Sequence, residues 1–161
     1  MPALVTTLAL VAAAAAVIPS PAQARAWRGF EPGRTTADEV VAKLGEPGGR
    51  PRSGGRTVLL YKDEGAPAGT KETRFYYRAD GVVDEVLVYL ATSLDAESIE
   101  GEFGKPERKT FTEEFLKVWQ FPRKGVTVYF DKDGGVMAIA YSPAAPASGA
   151  AKSPAADAKA P

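Results

Sequence analysis

An α+β fold, built as two tandem helix-plus-three-strand antiparallel units, follows from three features of the sequence. "VVAKLGEP" (40–47) and "IEGEFGKP" (99–106) are near-copies of one helix ending, an apolar stripe closed by Gly-x-Pro. Each is followed by three short runs rich in β-branched and aromatic residues. The last two runs of each group are joined through an Asp-Gly turn, in "RADG" (78–81) and "DKDGG" (131–135). Two such units predict a roughly six-stranded sheet with two short helices on one face.

The chain begins with an apolar, uncharged stretch at 3–18, followed by Pro19, Pro21 and Ala22-Gln23-Ala24. Such a run with small residues at its end reads as a secretory signal peptide, residues 1–24, cleaved near Ala24. An uncleaved membrane anchor is the other reading, but the run falls short of the ~20 apolar residues a bilayer span needs. Residues 25–33 form an N-terminal arm containing Trp27 and Phe30. The first unit spans 34–90. Thr36 is placed to cap its helix, and Glu39 completes a capping box. Val40 and Leu44 lie one turn apart on one apolar stripe, and Gly45 with Pro47 ends the helix. The runs "TVLLYK" (57–62), "TRFYYR" (73–78) and "VVDEVLVYL" (82–90) are its expected strands. The second unit, 91–141, repeats this order with Asp95 as cap, Ile99 and Phe103 as stripe and Gly104/Pro106 as stop. Its expected strands are "LKVWQF" (116–121), "VTVYF" (126–130) and "VMAIAY" (136–141). The helix endings align at an offset of 59 and the hairpins at 53, so the first unit carries six more loop residues. Residues 142–161 are mostly Ala, Pro, Ser and Gly, with Lys152, Asp157 and Lys159 and no aromatic side chain, the composition of a disordered tail.

Composition narrows the chemistry. The chain has 20 basic and 20 acidic residues, no His and no Cys. A net charge of zero argues against a nucleic-acid partner. Absence of Cys removes disulfides and the acceptor of a bacterial lipid anchor. Absence of His as well removes the commonest general base and the usual metal ligands. Asp84/Glu85 and Glu113/Glu114 are adjacent carboxylates rather than a facing pair across a substrate. "DKDGG" opens like a calcium loop but has Gly135 and Ser142 where ligands belong, so it reads as a hairpin turn. No enzyme, no cofactor and no metal are expected.

The segment "PGRTTADEVVAKLGEP", with the aromatic strand running into "RADGVVDEV", resembles the SmpA/OmlA (BamE-like) envelope domain family. The likeness covers about 34–90 and 92–141. Its tandem arrangement is similar to the beta-lactamase inhibitory protein architecture. The resemblance implies a non-enzymatic, exported protein of the bacterial envelope, periplasmic or secreted, that binds a protein. The first family also implies outer membrane assembly and the second inhibition of a secreted enzyme. The missing Cys departs from the lipoprotein character of the one and from the disulfides of the other.

Strand alternation places a candidate site. If Phe75, Tyr77, Val128 and Phe130 face the helices, Tyr76 and Tyr129 face away, joined by Leu87 and Tyr89. Tyrosines on an open sheet face suit a protein partner, although the arm or self-association could cover them instead. A second candidate is Arg50, Arg52 and Arg56 in "PGGRPRSGGR" (47–56), which could meet anionic lipid or peptidoglycan, or form a solvated connection. The loop lacks the spacing of a nucleotide-binding loop.

Overall fold

In the computed structural model, the structure describes residues 24–114 and 116–146. The expected signal segment up to residue 23 and the tail beyond 146 lie outside these residues. Two helices, α1 (Ala37–Leu44) and α2 (Ala96–Phe103), accompany eight strands. These are β1 (Arg52–Ser53), β2 (Arg56–Lys62), β3 (Thr70–Tyr77) and β4 (Val83–Leu90), then β5 (Arg108–Phe111), β6 (Lys117–Phe121), β7 (Val126–Phe130) and β8 (Val136–Tyr141). They form one antiparallel sheet in the order β1-β2-β3-β4-β8-β7-β6-β5. The expected pair of three-stranded units making a six-stranded sheet is therefore wrong. The strands absent from the expectation are the two edges, β1 and β5, whose sequences "RS" and "RKTF" show no buried alternation. Pairing to a neighbour, not their own pattern, makes them strands.

Each helix precedes four strands, and the correspondence reaches the backbone. Thr36 caps α1 with the reciprocal Glu39 contact, and Asp95 caps α2 by accepting from the Ser98 amide at 2.8 Å. Gly45 and Gly104 close the helices with φ of 82° and 78°, a region that Gly enters without a Cβ penalty. The Val83 amide donates to Thr35 O, and the Val136 amide donates likewise to Leu94 O, both at 2.8 Å. The β3–β4 register shifts between Tyr76 and Tyr77, and the β7–β8 register shifts between Tyr129 and Phe130. A β-bulge thus recurs at the position 53 residues on.

The core lies on the helix side. Val40 and Ile99 pack over Leu59, Tyr61, Phe75, Val86, Val88, Val128, Phe130 and Ile139, all 4% exposed or less. The N-terminal arm joins this side as well. Phe30 meets Phe75 edge-on at 5.1 Å, and Trp27 lies 5.9 Å from the same ring. The arm therefore extends the helix layer and does not cover the open face, the alternative considered for it from sequence. Residues 142–146 also belong to the folded part. The Ser142 amide donates to Gly125 O and the Ala145 amide to Pro122 O, both at 2.8 Å.

Candidate functional site

The face opposite the helices gathers all four residues picked by strand alternation. Across the sheet, Glu72, Tyr89, Ala138, Tyr129 and Val118 stand in one row on β3, β4, β8, β7 and β6. A second row runs Leu60, Arg74, Leu87, Ala140 and Thr127. Tyr76 sits beside these, opposite Val58 and Glu85. Strands are spaced about 4.8 Å apart, so Tyr89 and Tyr129 flank Ala138 at roughly 10 Å separation. Ala138 and Ala140 of β8 are themselves buried, closed over by their taller neighbours on this face.

Arginines stack on this layer. The Arg56 guanidinium lies 4.5 Å from the Tyr76 ring centre, and Arg74 lies 5.3 Å from that of Tyr89. Arg56 also bridges Asp84 at 3.1 Å and Glu85 at 2.9 Å. Neighbours on a regular strand point to opposite faces, and the bulge lets both carboxylates reach one cation. Burial works against the charge of Arg56, but Glu85 and Asp84 outweigh it and raise its pKa. Burial opposes the Arg74 charge too, and hydrogen bonds to Tyr76 and Glu72 raise its pKa. Burial also raises the pKa of Tyr89 and of Tyr129.

The four candidates are not equivalent. Tyr76 is only 7% exposed, beneath Arg56, whereas Leu87, Tyr89 and Tyr129 are half-buried and reachable. The second candidate, Arg50, Arg52 and Arg56, does not assemble into one cationic patch. Arg50 pairs with Glu46 at 3.1 Å, Arg52 lies on edge strand β1, and Arg56 belongs to the open face. Sequence reasoning missed Arg74, Glu72, Ala138 and Ala140. The last two were within reach, because "VMAIAY" puts both alanines out of phase with buried Ile139. The "DKDGG" segment is a turn in which Asp131 Oδ1 accepts from the Asp133 and Gly135 amides at 2.9 Å. An open cleft of about 480 Å³ beside Phe103 and Phe121 has Arg123 paired to Glu107 and Lys124 donating to Phe103 O.

No family model and no curated protein matches this chain. Three solved structures are similar to it. A DUF4309 family protein (YjgB) from Bacillus subtilis aligns with a TM-score of 0.55 at 17% identity, over 72% of this chain and 83% of its own. An extracellular protein containing a SCP domain from Bacillus anthracis aligns at 0.50 and 12% identity, over 84% of this chain and 50% of its own. A cysteine-rich secretory protein from Staphylococcus aureus aligns at 0.50 and 10% identity, over 76% and 46%. The chain spans about half the length of the latter two. At these identities the likeness is one of fold: the arrangement of sheet and helices occurs in these three bacterial proteins as well.

Proposed function

We propose that this chain is an exported, non-enzymatic protein-binding module of the bacterial cell envelope, which takes a protein partner on the open sheet face. The observation that carries this reading is the Tyr89–Ala138–Tyr129 row with Arg74 stacked beside it, on a face that the helices and the arm leave open. Tyr and Arg are among the residue types that anchor protein interfaces, because each combines a broad apolar or stacking surface with a polar end. Export is supported by the signal-like start of the sequence, and two of the similar structures are described as extracellular or secretory. The SmpA/OmlA-like motifs support the same reading, in the periplasm or outside the cell. A sequence without His or Cys favours binding over catalysis.

The test is capture from a bacterial envelope extract with the wild-type chain and a Tyr89→Ala/Tyr129→Ala variant, each checked by circular dichroism. A protein retained by the wild type and lost by the folded variant supports the open face. Equal retention by both rejects that face. A captured hydrolase whose activity falls on binding would change the module into an enzyme inhibitor.

A further inference from the structure

The two outer edges of the sheet occupy equivalent positions in the two halves and are blunted in different ways. In the first half, the Gly48 amide donates to Leu60 O and the Val58 amide to Pro51 O, so residues 48–53 run alongside β2. Gly48, Gly49, Pro51, Gly54 and Gly55 break this edge into a two-residue strand. In the second half the same place is filled by β5, four regular, exposed residues, Arg108, Lys109, Thr110 and Phe111. Prolines, breaks and short length are how proteins protect sheet edges from added strands. The β1 edge has Gly and Pro breaks, whereas β5 has neither and is guarded by the charges of Arg108 and Lys109, which repel a basic strand but not an acidic one.

The β5 edge also carries a specific chemistry. The Thr112 amide donates to Leu116 O in register with the β5–β6 pairs. Inward hydrogen bonds alternate along an antiparallel pair, so the amides of Lys109 and Phe111 face outward. Their side chains lie on the helix side. Phe111 is 66% exposed there. Lys109 and Lys117 lie 4.6 Å and 5.3 Å from the Trp119 ring centre, and the Trp119 Nε1 donor is buried with no acceptor among the described residues. Arg108, Lys109 and Lys117 enter no salt bridge among those residues, while Arg50, Arg56, Arg74 and Arg123 all do.

We infer that the β5 edge is a strand-addition site for an extended acidic segment of a protein partner, which pairs with the outward amides of Lys109 and Phe111. An antiparallel occupant places an apolar residue beside Phe111 and acidic residues opposite Lys109 and Arg108. Main-chain bonds provide the attachment and alternate side chains the selectivity. A second copy of this chain fits poorly, because antiparallel β5–β5 pairing through the outward amides sets Lys109 opposite Lys109 or Phe111 and places no carboxylate opposite Arg108. The inference is independent of the open face, since the two surfaces lie on different elements.

The experiment is an NMR titration of the full chain with acetyl-Thr-Val-Thr-Glu-Glu-Thr-amide, and with the same peptide carrying Lys for both Glu. The expected result is a saturable shift of the amides of 108–111 and 117–121 with the Glu peptide. Affinity for the Lys peptide is about tenfold weaker or less, equivalent to ~1.4 kcal/mol. Lys109→Pro removes one outward amide without touching the β6 pairs and abolishes the shifts. Lys109→Glu keeps the backbone and reverses the peptide preference, which guards against misfolding of the Pro variant. Absence of binding, equal affinity for both peptides, or shifts confined to Tyr89 and Tyr129 would overturn the inference. So would a wild-type dimer that Lys109→Pro dissociates.

Discussion

Replacing Tyr76 and Tyr129 separately by Ala tests how the open face is built, because the two hold equivalent positions but differ in burial. Tyr76 is 7% exposed, between Val58 and Glu85 and under the Arg56 guanidinium. Truncating a buried aromatic residue costs about 3 kcal/mol at the low end. That end is apt here, since the cover above the ring is one polar side chain. Unfolding entropy near 2.1 cal/mol/K per residue over about 120 ordered residues gives ~0.25 kcal/mol per degree, so Tm should fall by about 12 °C. Tyr129 is half-buried beside Ala138, and its truncation should cost about half as much, a fall of roughly 6 °C. Differential scanning calorimetry measures both. A Tyr76→Ala chain melting within about 3 °C of the wild type would refute the packing derived for this face. Partner capture, by contrast, should be weakened more by Tyr129→Ala, which removes reachable surface.

Three further outcomes follow from single positions. Gly125 has φ of 63°, and a Cβ there would strike the Ser142 carbonyl oxygen and approach the Ala144 amide at 3.1 Å. Gly125→Ala should therefore cost about 3 kcal/mol in urea unfolding, against about 1 kcal/mol for Gly54→Ala, which has a positive φ but open space. Tyr61→Phe removes the hydroxyl that donates to Gly45 O at 2.8 Å, and should lower stability by about 1 kcal/mol by leaving one carbonyl at the end of α1 unpaired. Burial pushes the Tyr141 phenol up to about 12, and also raises Tyr61, Tyr89 and Tyr129. A folded-state pKa above the unfolded value near 10 means this stability is complete below pH 10 and is lost as pH rises toward 12. The Tyr141 contribution is on the order of 2 kcal/mol. An ultraviolet titration should show phenolate appearing late, together with unfolding; ionisation complete by pH 10.5 would contradict the burial of Tyr141.

The duplicated helix and the phase of the central strands were legible in the chain itself. Thr36 with Glu39, and Gly45 against Gly104, act within a few residues of themselves, so their meaning survives without tertiary context. Alternation likewise separated Phe75 from Tyr76 and Val128 from Tyr129, because a strand's period of two assigns faces once one face is known to be buried. The edges could not be read this way. "RKTF" has no buried position, and Pro51 and the neighbouring glycines hide the β1 pairing, yet both edges form because β2 and β6 offer them unpaired amides.

Two outcomes needed the whole fold. The arm could have covered either face of the sheet, and its aromatic residues are equally apolar for both. Contact with Phe75 decides for the helix side, because the gap beside α1 is where Trp27 and Phe30 can both be buried. The three arginines of 47–56 formed a cluster only in sequence. Acidic partners brought from elsewhere separate them, Arg56 to the open face through a bulge that aims Asp84 and Glu85 together. Local pattern thus determined the elements and their faces. Long-range packing and charge pairing decided which face stays open and which edge remains free, because both depend on groups far apart in the chain.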